Sequence, residues 1–286
     1  MRPIHFDRGS NSLHPINSEY LAKYAAKAIE ARAYLYKGDY ADAITAGLVV
    51  VNSGGYSLTP PSSLLAYWAN PAPVTDKVET ILELAQTETI NNGFDALASI
   101  YTQGSSGYGD LLVTPNLDSA YTKTDIRKQL IINGTRAGIK VLVNNKYSNA
   151  ANQTDKDDIK IIRYAEVLIT IAESYARTGD ETDALAYLNV LSKARSTATT
   201  FVPFTSTGTQ LDMDILNERR RELAFEGLRF FDFTRLNLDI VRPQIQASAP
   251  SIANIPVGDP KRLLPIPQAE IDADPNEVQN PGYLGN

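Results

Sequence analysis

The stretch NERRRELAFEGLRFFDFTRLN, residues 217–237, joins a dense charge cluster to a run of aromatic rings. On a helix, Glu218, Glu222 and Glu226 fall at i, i+4 and i+8 on one face, with Arg219 and Glu222, and Glu226 and Arg229, as i, i+3 neighbours. Three carboxylates on one face suit a metal or an acid–base pair. Carboxylate metal sites of helical bundles also recruit a histidine at i+3, however, and none stands here. Anion binding by Arg219, Arg220 and Arg221 is opposed by Glu218, Glu222, and Asp214 or Glu226 close by, which cancel the local field. A mutually compensated structural network remains, in which the adjacent arginines neutralise the glutamates. Downstream, Leu228, Phe231 and Arg235 share one side at helical spacing and Phe230 and Phe233 lie elsewhere. So many rings imply a buried element that anchors the helices.

The helix ending in this cluster is predicted over 212–226, with Asp212 or Asp214 near its favourable start and Gly227 ending or kinking it. Upstream, the chain matches itself once. AIEARAYLYKGDYADAI (28–44) pairs with LITIAESYARTGDETDAL (168–185), aligning Ala31, Tyr34, Gly38, Asp39, Asp42 and Ala43 with Ala172, Tyr175, Gly179, Asp180, Asp183 and Ala184. Helices over 18–36 and 162–178 keep apolar residues at spacings of three and four. Gly38 and Gly179 suit the left-handed position that closes a helix, and Asp39 and Asp180 suit the cap of the next. Each copy therefore reads as a tetratricopeptide-like helical hairpin, although the two are not in tandem.

Between the copies, residues 52–160 are rich in Gly, Asn, Thr, Ser and Tyr and hold the sole tryptophan, Trp68. VETILELAQ (78–86) reads as a strand, and RKQLIING with GIKVLVNNKY as two more, with a hairpin turn expected at Asn133-Gly134. A loop region of this length is usually functional or disordered, and its aromatic content argues against disorder. NQTDKDDIK (152–160), with Asp155, Asp157 and Asp158, lacks the glycine and distal glutamate of a calcium loop and reads as a solvated helix start before Ile159. After residue 237, Pro260, Pro265, Pro267, Pro275 and Pro281 predict an extended, turn-rich strap with one short helical piece at most.

Composition narrows the chemistry. The 286 residues are 43% hydrophobic and 21% charged, which describes a globular chain, and the net charge of -6 gives no general attraction for nucleic acid or anionic lipid. No apolar run reaches the roughly 18 residues of a membrane span. Zero cysteines exclude disulfides and thiol chemistry. The two histidines, His5 and His14, sit in a Pro/Gly/Ser/Asn-rich N-terminal segment, so a Ser-His-Asp site or a multi-histidine metal centre lacks parts. No catalytic residue, metal ligand or cofactor is expected.

The segment ERRRELAFEGLRFFDFTRL (218–236) resembles the signature of the SusD/RagB family, through Glu218, Arg219, Arg220, Glu222, Leu223, Glu226, Gly227, Arg229, Phe230, Phe231, Asp232, Phe233 and Arg235. ARAYLYKGDYADA (31–43), IRYAEVLITIAESYARTGD with ALAYLNVLSKAR (162–195), and LLPIPQAEI with QNPGY resemble the same family in the same order. The resemblance implies a mainly α fold of tetratricopeptide-like hairpins with long loops and a few short strands. It implies one SusD-like C-terminal region over 1–286: helical scaffold at 18–56 and 160–236, a loop-rich ligand-binding region at 57–159, and an extended strap at 237–286. It also implies a non-catalytic, lipid-anchored glycan-binding protein of the outer-membrane cell surface, which hands its ligand to a SusC-like TonB-dependent transporter. The lipoprotein signal, acylated cysteine and first helices of complete members are not found here, so the chain looks like the C-terminal part of a longer protein, with any membrane attachment through an anchor it lacks.

Sugar rings present apolar CH faces that stack on Trp or Tyr, while Asn, Asp, Gln and Arg bond the hydroxyl rim. LLAYWANPAP places Tyr67 and Trp68 beside Asn70 in a Pro-flanked loop, and IYTQGSSGYGD offers Tyr101, Gln103, Tyr108 and Asp110. These are the candidate ligand contacts, chosen by residue type and loop location; Trp68 reads either as an exposed sugar platform or as core filler, since tryptophan is usually largely buried. The alternative function is a tetratricopeptide-type adaptor that binds a peptide or protein in its helical groove. A glycan-cleaving enzyme using two carboxylates has no supporting motif.

Overall fold

Two glycines close the first helix of each matching segment in the same way. Gly38 (φ 86°) and Gly179 (φ 87°) both adopt the left-handed conformation. Their amides donate to Leu35 and Ala176 carbonyls, and the next amides, of Asp39 and Asp180, donate to Tyr34 and Tyr175. These bonds satisfy carbonyls that a helix end leaves without partners. Asp180 then caps the following helix by accepting from the Asp183 amide at 3.1 Å, whereas Asp39 makes no such cap and pairs with Lys37 at 2.5 Å.

The computed structural model describes residues 21–69, 78–86, 92, 95–101, 103, 107–147, 158–242 and 254–283. His5, His14, Asn70, Asp155 and Asp157 lie outside them. The chain divides into two compact units, Met1–Leu228 and Arg229–Asn286. In the first, described elements are α1 (Lys23–Lys37), α2 (Tyr40–Ser53), α3 (Pro61–Ala69), β1 (Thr80–Leu84), α4 (Leu97–Tyr101), α5 (Pro115–Asp118), β2 (Ile131–Arg136), β3 (Ile139–Asn144), β4 (Ile159–Arg163), α6 (Tyr164–Thr178), α7 (Glu181–Ala194) and α8 (Gly208–Glu222). A 3-10 turn spans Ile126–Leu130. The second unit holds α9 (Arg229–Arg235), β5 (Ile240–Val241), β6 (Asn254–Ile255) and α10 (Gln268–Ala273).

The fold is mainly α, two helical hairpins (α1–α2 and α6–α7) packed about α6, as the spacing predicts. Ala165, Ile169 and Ala172 of α6 meet Ala184, Leu188 and Leu191 of α7 and Leu211 and Ile215 of α8 in one buried cluster. Val167 and Ile171 join Ala25, Ala28 and Val50 in another. Each large aliphatic side chain so buried is worth about 1.5–3 kcal/mol. Small residues set the spacing between helices: a Cβ built on Gly47 of α2 would sit 2.7 Å from Ile171 Cγ1.

Short antiparallel pairs replace a continuous sheet: β1 with β4 (Leu84 opposite Ile159), β2 with β3, and β5 with β6. Four local expectations are corrected. The β2–β3 turn lies at Ala137-Gly138 (φ 47° and 78°), not at Asn133-Gly134. Gly134 stands inside β2, where a Cβ would meet Val143 Cγ2 at 2.5 Å, so close packing explains that glycine. Ile159 opens a strand rather than a helix, with buried Asp158 accepting from the Gln86 amide at 2.7 Å. The signature helix runs over Gly208–Glu222 rather than 212–226; residues 223–227 form turns, with Phe225 at φ 67° and Gly227 at φ 78°. Finally, the aromatic run is not buried throughout. Phe230 and Phe231 are 43% and 50% exposed and meet edge to face, while Asp232 is the buried residue of α9. A seven-residue helix has one inward face, and consecutive rings cannot share it.

Candidate functional site

The carboxylates of the signature point into the protein and are met from far along the chain. Glu222 Oε1 accepts from Arg163 Nη1 at 2.8 Å and Arg195 Nη2 at 3.0 Å, and Oε2 from Arg127 Nη1 and Arg195 Nε, both at 2.9 Å. Glu226 takes Arg163 and Lys146, Glu79 takes Arg163 and Arg195, and Glu218 takes Arg127 and Arg221. With Asp125 on Arg127, five cations (Arg127, Lys146, Arg163, Arg195, Arg221) balance five carboxylates (Glu79, Asp125, Glu218, Glu222, Glu226). Burial alone would raise the Glu222 carboxyl, but Arg195, Arg163 and Arg127 together hold it well below the usual carboxylate range. Glu218 and Glu226 are likewise held low against burial, by Arg127 with Arg221 and by Arg163 with Lys146. The network is structural, as expected, yet most of its arginines are not the adjacent ones.

This hub ties the loop region to the scaffold through the end of α8, whose last carbonyls have no helical partner. Tyr121 Oη donates to the Arg221 carbonyl at 2.8 Å, and Lys146 Nζ and Arg163 Nη2 donate to the Glu222 carbonyl. The left-handed Phe225 turns its carbonyl toward the hydroxyls of Tyr147 (3.1 Å) and Tyr101 (3.5 Å). Tyr101 stacks on Tyr147 at 5.6 Å, and Tyr147 meets the edge of Trp68.

The predicted contact residues divide on this frame. Trp68 is 3% exposed, which fits the core-filler reading and corrects that of an open sugar platform. It lies on α3 rather than in a loop, where Leu64 and Trp68 share the inward face one turn apart. Lys146, Lys160 and Arg163 stand over its ring at 4.6–5.1 Å. Tyr67 is half-buried and bonds Thr80 Oγ1 at 2.7 Å. Tyr101 is buried, its hydroxyl pushed up to about 12 by burial and then by Glu226. Gln103 donates to the carbonyls of Gly109 (3.0 Å) and Tyr101 (3.3 Å), bracing the loop from within. Gly109 (φ 58°) lies so close that a Cβ there would meet Gln103 Nε2 at 2.6 Å.

Tyr108 is different. It is 54% exposed, and its hydroxyl donates to Asp95 Oδ1 at 3.2 Å, a carboxylate that raises its pKa. The backbone beneath is fixed, because the amides of Tyr108 and Gly109 both donate to the Ser99 carbonyl. Exposed Asp110 pairs with Arg136 of β2 at 2.7 Å, and Arg136 also donates to the Gly109 carbonyl. An aromatic face, two carboxylates and a guanidinium therefore gather around Tyr108, from the residue Asp95 before α4, from Asp110 after it and from β2. Sequence reasoning missed Glu79, Arg127, Lys146, Arg163 and Arg195; a glutamate and an arginine embedded in the apolar strand segments VETILEL and IKIIRYA were the signals available.

Comparison with known proteins bears on this frame. The sequence profile of the SusD family matches residues 131–283, over half of the chain and the whole of the hub's α8 side. The chain belongs to the SusD family. A SusD superfamily protein of Bacteroides thetaiotaomicron superposes with a TM-score of 0.80 at 28% identity, covering 93% of this chain and 62% of that one. A SusD superfamily protein of Bacteroides vulgatus gives 0.80 at 27%, with 96% and 62% covered. A SusD-like carbohydrate binding protein of Bacteroides vulgatus gives 0.67 at 26%, with 82% and 49% covered. SusD-like protein P38 of Formosa agariphila is 32% identical over 100 residues, 31% of this chain and 19% of that protein. The chain thus spans about three fifths of the length of the first two of these SusD superfamily proteins.

Proposed function

We propose that this SusD-family chain is a non-catalytic glycan-binding protein of the outer-membrane cell surface that delivers its ligand to a SusC-like TonB-dependent transporter. The observation that carries the reading is Tyr108, which among the described candidate contacts combines an open aromatic face with a braced backbone. Stacking on a pyranose face uses that ring, and Asp95, Asp110 and Arg136 supply acceptors and donors for the hydroxyl rim. Tyr101 and Gln103 serve the site from behind, by bracing the backbone that presents Tyr108. The carbohydrate-binding relative from Bacteroides vulgatus supports the ligand class.

Affinity electrophoresis and titration calorimetry against a panel of soluble polysaccharides test the reading. At least one polymer is expected to retard the protein, with Tyr108→Ala weakening it tenfold or more, Tyr108→Phe retaining most of it, and no reducing ends released. Absence of retardation by every polymer removes the glycan reading. Recovery of soluble protein partners alone, with no transporter, in pull-downs from membranes would favour the adaptor.

A further inference from the structure

A cavity of 430 Å³ is walled by residues 120–127, the end of α7, the α7–α8 connection and α8. None of the predicted contact residues lines it. Its size is within the ~300–1,000 Å³ of small-molecule sites.

The wall chemistry selects a ligand. The arginines there are already engaged: Arg127 with Asp125, Glu218 and Glu222, Arg195 with Glu79 and Glu222, and Arg221 with Glu218. Three lining cations (Arg127, Arg195, Arg221) match three lining carboxylates (Asp125, Asp214, Glu218). Such a wall has no net charge with which to hold a free anion or cation, and an ion entering would lose hydration without compensation. What it offers is short-range polarity. Thr122, Thr124, Ser196 and Thr200 hydroxyls and the exposed Asn217 amide surround it, and the buried Ser192 Oγ on its wall has no hydrogen-bond partner among the described residues. Phe201 and Phe204 add apolar faces.

The walls are also held in place before any ligand arrives. Asn189 clamps the Phe204 backbone from both sides, accepting from its amide at 2.7 Å and donating to its carbonyl at 3.0 Å. Ser206 donates to Asp214 at 2.7 Å, the Thr197 amide to the Thr124 carbonyl at 2.8 Å, and the Ile126 amide to the Arg195 carbonyl at 3.0 Å. Preorganisation of this kind lowers the ordering cost of binding.

We propose that this cavity is a second site, separate from the Tyr108 surface, for a small neutral polyhydroxylated ligand of one or two sugar rings. The hydroxyl rim bonds Asn217, Ser192 and the threonines, and a ring face lies against Phe201 or Phe204. The site does not rest on the polysaccharide reading, since it needs no polymer.

Titration calorimetry and saturation-transfer NMR with methyl α-glucopyranoside, methyl β-galactopyranoside, methyl α-mannopyranoside, maltose and cellobiose test it on the whole chain. At least one saccharide is expected to bind wild type and Tyr108→Ala alike, and to bind Asn217→Ala or Phe201→Ala at least tenfold more weakly. Asn217 is exposed and Phe201 partly so, and unchanged circular dichroism would establish that both variants fold. No binding of any of the five at millimolar concentration overturns the site, as does binding insensitive to both cavity variants or abolished by Tyr108→Ala. Tight binding of inorganic phosphate overturns the neutral ligand class. Short saccharides bound by a chain that no polysaccharide retards would leave this site standing and remove the polymer reading; the reverse result would do the opposite.

Discussion

Glu222 shows how much one carboxylate can hold. Its two oxygens take four guanidinium hydrogen bonds from Arg127, Arg163 and Arg195, and it is 2% exposed. Whether such a network stabilises relative to an apolar core is a separate matter from what happens when one member is removed. Breaking a buried pair leaves charge without compensation and costs about 3–5 kcal/mol. Glu222→Gln is therefore expected to lose that much in urea unfolding at pH 7. Glu30→Gln, which breaks the surface pair with Lys27 where both side chains are more than a third exposed, is expected to change stability by no more than about 0.5 kcal/mol. Equal losses in the two variants would sink the argument. Nothing local announces this role for Glu222, because its partners stand 95, 59 and 27 residues away. Residue spacing shows the three glutamates on one face, and the adjacent arginines look sufficient until the chain is folded.

At the scale of elements, the helical hairpins are legible because their causes are local: apolar spacing, a glycine that must turn left-handed and an aspartate after it. Gly38→Ala and Gly179→Ala each force φ near 86° on an L residue, with no neighbour in the way of the new methyl, so conformational strain of roughly 1 kcal/mol is the expected cost. Gly47→Ala acts by another route. Its methyl would lie 2.7 and 2.9 Å from Ile171 Cγ1 and Cδ1, and overpacking of the α2–α6 contact should cost about 1–3 kcal/mol. Thermal unfolding of the three variants separates the mechanisms: Ile171→Val should recover part of the loss in Gly47→Ala and none in Gly179→Ala. The short strands were legible in place and less so in detail. Asn133-Gly134 is a favoured hairpin dipeptide, but Gly134 is needed where β2 crowds Val143, and the turn falls to Ala137-Gly138. The setting of Trp68 is hidden for a related reason: a Pro-flanked aromatic pair looks like a loop until Leu64 and Trp68 are set one turn apart on α3. Tyr108 can be picked out by residue type alone, but its exposure depends on Gln103 and Gly109 folding beneath it, which no local pattern reveals.

Across Met1–Leu228 the buried network gives acid a specific point of attack. Glu218, Glu222 and Glu226 are all held below their ordinary value, against burial, by the arginines and the lysine around them. An unfolded glutamate titrates near 4.3. Below that pH the unfolded chain binds protons that the folded one refuses, so stability contributed by these groups is full above the unfolded pKa and is lost as pH falls towards the folded values. The loss is centred on the hub, which joins Arg127 and Lys146 of the loop region to Arg163 at the start of α6 and to α7 and α8. Trp68 is the sole tryptophan, and Lys146 and Arg163 lie over its ring, so its fluorescence reports on the loop side while far-ultraviolet circular dichroism reports on the helices. At pH 7 the two urea transitions are expected to coincide. Near pH 3 the Trp68 transition should move to lower urea than the helical one, because the hairpin cores of α1, α2, α6 and α7 are mainly apolar and keep their packing when the glutamates are protonated. In Glu222→Gln the separation should already be present at pH 7 and change less on acidification. Coincident transitions at both pH values, or a helical transition that moves first, would mean that the hub does not couple loop region and scaffold.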